Sequence, residues 1–326
     1  MKITMAHGSG GSASAQLMED IFAKHFQNPI LDRMEDGAVL ELKGRIACST
    51  DSFVVTPLIF KGGDIGKLCV CGTVNDLLMM GAVPRYLTCG FILEEGLDTE
   101  LLDRIAASMA RQAQAAGVMI VAGDTKVVEG SGGLYVNTTG IGEIPAGRNV
   151  GAGNCRPGDA VLLSGSLGDH HACILSHRME IDNGIESDCA ALNDTVEALF
   201  AQGITVRAMR DVTRGGLGTV LNEIADCSDC MIQLEEEAVP VKTEVGSFAD
   251  ILGLDPLYMG NEGKMIAVVP AEQAEAALAA MRRTEHGKAA AIVGRVLEGQ
   301  AVWIRTRLGA VRQLDVLHGE GLPRIC

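Results

Sequence analysis

Positive charge is scarce in this 326-residue chain: 27 Lys and Arg stand against 42 Asp and Glu, a formal charge of −15. A surface of that sign repels phosphate backbones and anionic lipid heads, which argues against nucleic acid and membrane surfaces as partners. Long apolar runs are missing as well. None approaches the roughly 18 residues of a membrane span, and the opening MKITMAHGSGG turns polar before a signal-peptide core forms, so a cytoplasmic location is expected. Nor is there a disulfide framework, because ten cysteines scattered without a secretory leader read as reduced thiols packed like small hydrophobes. Aromatics reach only 3%, whereas 40 glycines imply many tight turns and close backbone approach to a ligand. With 47% hydrophobic residues the chain can fill real cores, and its length suggests about two domains.

Periodicity gives the organisation. KITMAH is a short strand candidate, and residues 14–26 read as an amphipathic helix through Leu17, Ile21, Phe22 and Phe26. Residues 39–55 alternate like a hairpin turning at KGR. Residues 62–82 read as a buried helix stopped by Gly81 and Pro84. Strands follow at 86–93, 118–122 and 134–143, with a helix at 99–116 opened by Asp98. The Gly-, Pro- and Asn-rich stretch 144–159 marks a domain boundary, giving domains over 1–147 and 151–314. The second half holds strands at 160–164, 206–209, 231–234 and 265–269 and helices at 169–179, 191–202, 217–225 and 271–283, with further strands to about Leu314. Paired strands beside helices favour an α+β class with mixed α/β layers. Residues 315–326 lose periodicity and read as a mobile tail.

Several constellations could carry chemistry. Gly8, Ser9, Gly10, Gly11, Ser12 and Ala13 fit G-x-G-x-x-A, but the strand ending in an acid that a dinucleotide fold needs is replaced by a polar stretch broken at Pro29. The loop is then either a flexible N-terminus or a cover that closes over phosphates through its N–H groups, and His7 beside it either anchors the loop or takes part in chemistry. GGDIGK at 62–67 is no P-loop, since Lys61 and Leu68 stand where Gly and Ser/Thr are required. Asp64 reads as a helix N-cap, with Asp76 about 18 Å further up the same helix. Asp51, Asp76 and Asp124 each end an apolar run, where a carboxylate is costly unless paired or metal-bound. Hard oxygen ligands select Mg²⁺, and a polyphosphate approaches clustered carboxylates only with such ions between. Taken singly, each acid also fits a cap or a surface position. Lys126, two residues past Asp124, lies on the same strand face and suits phosphate contact, proton transfer or an ordinary surface charge.

Residues 210–223 run strand, glycine turn, helix, leaving a helix N-terminus suited to an anion. Gly260 and Gly263 bracket Glu262 and expose it to a ligand. Cys227 and Cys230 form a lone C-x-x-C, too little for zinc, and Cys69 and Cys71 read as packing. Cys326 ends the chain, either by accident or as a swinging nucleophile whose tail could reach roughly 30–35 Å.

In order along nearly the whole chain, HGSGG, the block from TDSFVV to LLMMGAVP, GDTKVV, SGSLGDHH, RDVTRGGL, GNEGK and the terminal PRIC resemble the HypE family of hydrogenase maturation proteins. The wider superfamily is that of aminoimidazole ribonucleotide synthetase, selenophosphate synthetase and thiamine-monophosphate kinase. The resemblance implies a homodimer whose N-terminal domains pair their sheets into a barrel-like interface, with ATP and Mg²⁺ in a cleft between domains. It implies Asp51, Asp76 and Asp124 as metal and phosphate ligands, and Gly8, Ser9, Gly10 and Gly11 as a mobile phosphate cover. Asp64, Thr73, Asn75 and Asp211 would contact the nucleotide, and Lys126 and Glu262 would stand near the reacting tail. A HypF-like carbamoyltransferase would load Cys326, ATP would drive conversion of the thiocarboxamide to a thiocyanate, and cyanide would pass to iron on a HypC–HypD complex. The rival readings are another ATP-dependent small-molecule kinase or synthetase and a non-enzymatic thiol carrier.

Overall fold

The computed structural model describes residues 1–9, 11–33 and 37–316. Lys2 makes a single β-bridge to Asp98, and Met5–Gly8 then closes a 3₁₀ turn, so the strand expected at KITMAH shrinks to that bridge. Helix α1 (Ser12–Leu17) widens into a π-helical stretch, Met18–Ala23, and resumes as α2 (Lys24–Phe26). Leu17, Ile21, Phe22 and Phe26 are its buried positions, with the Phe22 ring 4.6 Å from that of Phe91.

Strand β1 (Arg45–Phe53) takes all nine of its partners from β6 (Leu134–Ile144), so the expected 39–55 hairpin is replaced by a long-range pairing. A tight pair, β2 (Ile59–Phe60) and β3 (Gly63–Asp64), feeds α3 (Ile65–Met79). Strand β4 (Val83–Glu94), helix α4 (Thr99–Ala115, capped by Asp98) and β5 (Met119–Val128) complete this half. The sheet runs β1-β6-β4-β5, with only β4 and β5 parallel. One face is covered by α3 and α4. The other carries Thr50, Ser52, Asn137, Ile92, Asp124 and Lys126, all exposed.

The second half comprises β7 (Asp159–Leu163), α5 (Asp169–Arg178), α6 (Asn193–Ala201), β8 (Ala208–Asp211), α7 (Gly216–Ser228), β9 (Met231–Glu235), α8 (Thr243–Leu252), β10 (Met265–Pro270), α9 (Ala274–Arg282), β11 (Ala291–Leu297), β12 (Val302–Arg305) and β13 (Val311–Gln313). Its sheet order is β13-β12-β9-β11-β7-β10-β8, with only β12 and β9 parallel. Helix α8 was not foreseen in the sequence. Alternate residues of β7 and β10 enter different cores: Val161, Leu163, Ile266 and Val268 face one, and Ala160, Leu162, Met265, Ala267 and Val269 the other. The second of these cores continues without a break into the first half through Leu68, Val74 and Leu78 of α3. Helix α3 lies between β1 and β6 on one side and β8 and α6 on the other, which is why it has no polar face.

Candidate active site

Four carboxylates converge where the halves meet. Asp51 stands on β1 opposite buried Thr138, so its side chain turns toward α3, where a Cβ on Gly72 would come 3.9 Å from Asp51 Oδ2. Asp76, on the last turn of α3, accepts a short hydrogen bond from Ser49 Oγ. Asp211 ends β8, paired with Met265, and Glu262 lies in the turn just before β10. Burial raises all four above the ordinary carboxylate range. Mutual repulsion adds to it: Asp76 acts on Asp51, and Asp76 and Asp51 act on Asp211, which is pushed up to about 7. Glu262 is driven well up by burial, then by Cys189, Asp188, Asp211 and Asp51. Arg214 opposes the rise at Asp51, and Arg210 opposes it at Asp76 and Asp211.

The turn that carries Glu262 is held by a residue the sequence did not mark. Asp188, its side chain 2% exposed, accepts from Glu262 N at 3.2 Å, Gly263 N at 3.0 Å and Lys264 Nζ at 3.1 Å. Burial alone would raise Asp188, but Lys264, His170 and the N–H donors hold it below the usual range. A Cβ on Gly263 would come 2.0 Å from Asp188 O, so glycine is required there. The glycines thus press the turn against its neighbours, and Glu262 is half-buried where the sequence suggested exposure. Asp188 belongs to a strap, residues 183–192, pinned from both halves. Ser187 donates its N–H to Lys61 O and shares a 2.7 Å hydrogen bond with His170 Nδ1; Asn75 donates to Ala190 O at 3.0 Å and accepts from Leu192 N at 2.9 Å.

Those bonds correct two expectations. Asn75 is a buried clamp on the strap, and Thr73 is fully buried against Thr138 Oγ1, so neither side chain is free to touch a nucleotide. Asp64 caps α3, accepting from Lys67 N at 2.9 Å, at the opposite end of an unbroken helix from Asp76. Asp124 also stands apart. Its row across the sheet is Gly90, Asn137 and Ser52, one residue out of step with Asp51, so it projects from the open face about 14 Å away at three strand spacings. There it is held by Lys126 Nζ at 2.7 Å, which lowers its pKa. Asp124 and Lys126 border a cavity of about 270 Å³ shared with His7, Gly8 and Ser14. Gly8 packs so closely on Val127 that a Cβ would come within 2.8 Å of it, while Ser9 bonds back to Ala6 O. Gly11 stands as the N-cap of α1. Gly10 and Cys326 lie outside the described residues, as does the tail beyond Val316.

Among the described residues no three His, Cys, Asp or Glu side chains form a ready-made metal cage. The donor set nevertheless suits a hard cation. Asp51, Asp76 and Asp211 are oxygen donors whose mutual repulsion is only partly offset by Arg210 and Arg214, and Mg²⁺ takes one or two carboxylates together with substrate phosphates.

The AIR synthase related protein N-terminal domain family matches residues 34–144, and the C-terminal domain family of the same name matches residues 156–305. The chain is 50% identical over 335 residues to the carbamoyl dehydratase HypE of Rhodobacter capsulatus, covering 100% of this chain and 98% of that protein. A crystal structure of the hydrogenase maturation protein HypE in complex with ATP matches with a TM-score of 0.95 at 50% identity, over 99% of each chain. A chain in a HypE–HypF complex matches with a TM-score of 0.82 at 48% identity, over 92% of this chain and 99% of that one.

Proposed function

The chain belongs to the HypE family of carbamoyl dehydratases, on the AIR synthase related two-domain fold, and we propose on that footing that it dehydrates a carbamoyl group carried on Cys326. The observation that carries the reading is the cluster of Asp51, Asp76, Asp211 and Glu262 at the junction of the two halves, too crowded with negative charge to stand beside a polyphosphate without cations. Turning S–C(=O)–NH₂ into S–C≡N removes one oxygen and two N–H protons. Hydroxide is a poor leaving group, so the γ-phosphoryl group of ATP is transferred to that oxygen, which then departs as phosphate; the balance is ATP and thiocarboxamide to ADP, phosphate and thiocyanate. Asp51, Asp76 and Asp211 would hold Mg²⁺, whose charge when bound offsets that of the phosphates. Glu262 takes one proton from nitrogen, its raised pKa making its carboxylate a stronger base than an exposed one, and the second proton leaves with the departing phosphate.

The working unit in this reading is a homodimer joined through the open face of the four-stranded sheet. Such a pairing places Asp124 and Lys126 in the interface and explains why they project away from the acid cluster of their own chain. The domains take residues 1–147 and 151–314, followed by the tail 315–326. A HypF-like carbamoyltransferase supplies the carbamoyl group, a HypC–HypD complex accepts the cyanide, and the setting is cytoplasmic. A complex of HypE with HypF is known for a relative, and no helix among the described residues is long and apolar enough to cross a membrane.

The deciding measurement is phosphate release from ATP by protein with and without a carbamoyl group on Cys326, followed by mass spectrometry. Release only from the carbamoylated form, with loss of one water, is expected. Release that ignores carbamoylation would indicate a kinase of another substrate, and a carbamoyl group that transfers onward without ATP turnover would indicate a thiol carrier.

A further inference from the structure

A cavity of about 380 Å³ opens where the connection between the two sheets meets the root of β8. Arg148, Arg156 and Arg207 line it with Asn149, Asn154 and Phe200, and no Asp or Glu is among its lining residues. In a chain with 27 basic and 42 acidic residues this is a local reversal of sign. The three guanidinium groups differ in what they do. Arg148 is fully engaged: two bonds of 2.8 and 2.7 Å hold Glu197, a third of 3.2 Å reaches Gly81 O, and its plane sits 3.9 Å over the Phe200 ring. Arg207 forms an ion pair with buried Asp159, Nε 3.6 Å from Oδ2, but that separation is too long for a hydrogen bond and its side chain makes none among the described residues. Its backbone is nonetheless fixed, with N–H given to Val268 O at 2.8 Å and the carbonyl accepting from Gly151 N at 3.0 Å. Arg156 uses its backbone N–H on Asp159 at 2.8 Å, while its exposed guanidinium has no ion pair among the described residues.

Arg156 has no ion pair among the described residues and Arg207 meets its one carboxylate partner only at Nε, so both keep planar donor pairs that match the oxygens of a phosphate. We infer that this cavity binds a small phosphate-bearing anion, at a site separate from the acid cluster. Its volume lies in the range of small-ligand sites, so a phosphomonoester fits as well as free phosphate. The bound group would bridge Arg156, on the connection between the sheets, to Arg207, which immediately precedes β8. Asp211 lies at the far end of that four-residue strand, so occupancy braces the element that carries one of the clustered acids.

The test is calorimetric titration of inorganic phosphate into the full-length protein saturated with a non-hydrolysable ATP analogue and Mg²⁺, which also occupies the γ-phosphate position, at ionic strength matched with chloride. One site per chain is expected. Its affinity should fall at least about tenfold in Arg156→Ala, the loss of one charge-assisted pair of bonds, and less in Arg156→Lys, which keeps the charge without the fork. Arg156 is exposed, so these variants keep the fold. Glycerol phosphate, titrated in parallel, separates the two sources: tighter binding than inorganic phosphate supports a phosphomonoester, and equal binding supports the free ion. The inference is overturned if millimolar phosphate gives no binding heat, or if Arg156→Ala and Arg207→Gln bind it as the wild type does.

Discussion

Asp211 holds a proton in the folded protein that the unfolded chain releases. Its carboxyl is raised to about 7 from an ordinary value of 3.8, so between about pH 4 and pH 7 the folded state binds the extra proton. Stability therefore falls as pH rises through that window and levels off above it. Asp211→Asn, which cannot ionise, should raise the melting temperature at pH 8 by roughly 2 °C or more and change it little at pH 4, as read by calorimetry. Glu262→Gln tests the chemistry at the same scale. Nucleotide and carbamoylated tail should still bind, while thiocyanate formation in a single turnover slows by about 10²–10⁴-fold. Asp51, Asp76 and Glu262 are legible in the sequence, the first two near the end of an expected strand or buried helix and the third between glycines, whereas Asp211 has no such local signal and enters through the family resemblance. Thr73 and Asn75 enter through the resemblance alone, and α3, covered on every side, has no polar face in its sequence that could show that both are enclosed. Asp188 is not legible in the sequence, because SDCAA carries no glycine and no periodic signal, and its role exists only once the chain is folded.

Among the elements, the strap over residues 183–192 ties α3, through Asn75, to the Glu262 turn, through Asp188. Asn75→Ala would leave Ala190 O and Leu192 N without partners in a buried place, and a loss of about 2 kcal/mol or more is expected in denaturant unfolding. Asp188→Asn keeps the size but offers a single acceptor where three donors now converge. It should lower kcat with KM for ATP little changed, and speed amide exchange across residues 260–264; unchanged exchange there would count against the strap's role. Elements with strong local signals, such as the helix over 99–115 and the strands of both sheets, were legible to within a few residues. The hairpin expected at 39–55 was not, since alternation shows that a strand exists without naming its partner, and β1 finds that partner about ninety residues away. Helix α8 follows a Pro-containing stretch, Val239 to Val241, whose turn chemistry masked the helical spacing after it.

For the whole molecule, the open face of the four-stranded sheet is where association should be read. Ile92, 45% exposed at its centre, is the position to disturb: Ile92→Glu should shift sedimentation toward the monomer if two such faces meet, and leave it unchanged if they do not. A different consequence follows from the core that passes through α3 from one half into the other. Leu68, Val74 and Leu78 belong to the same cluster as Leu192, Met259 and Met265, so neither half can open without stripping apolar surface from its neighbour. Repeat-like or loosely tethered domains melt one after the other; here the free energy of local opening in either half approaches that of global unfolding, and one cooperative transition in calorimetry, with equal calorimetric and van't Hoff enthalpies, is the expected signature.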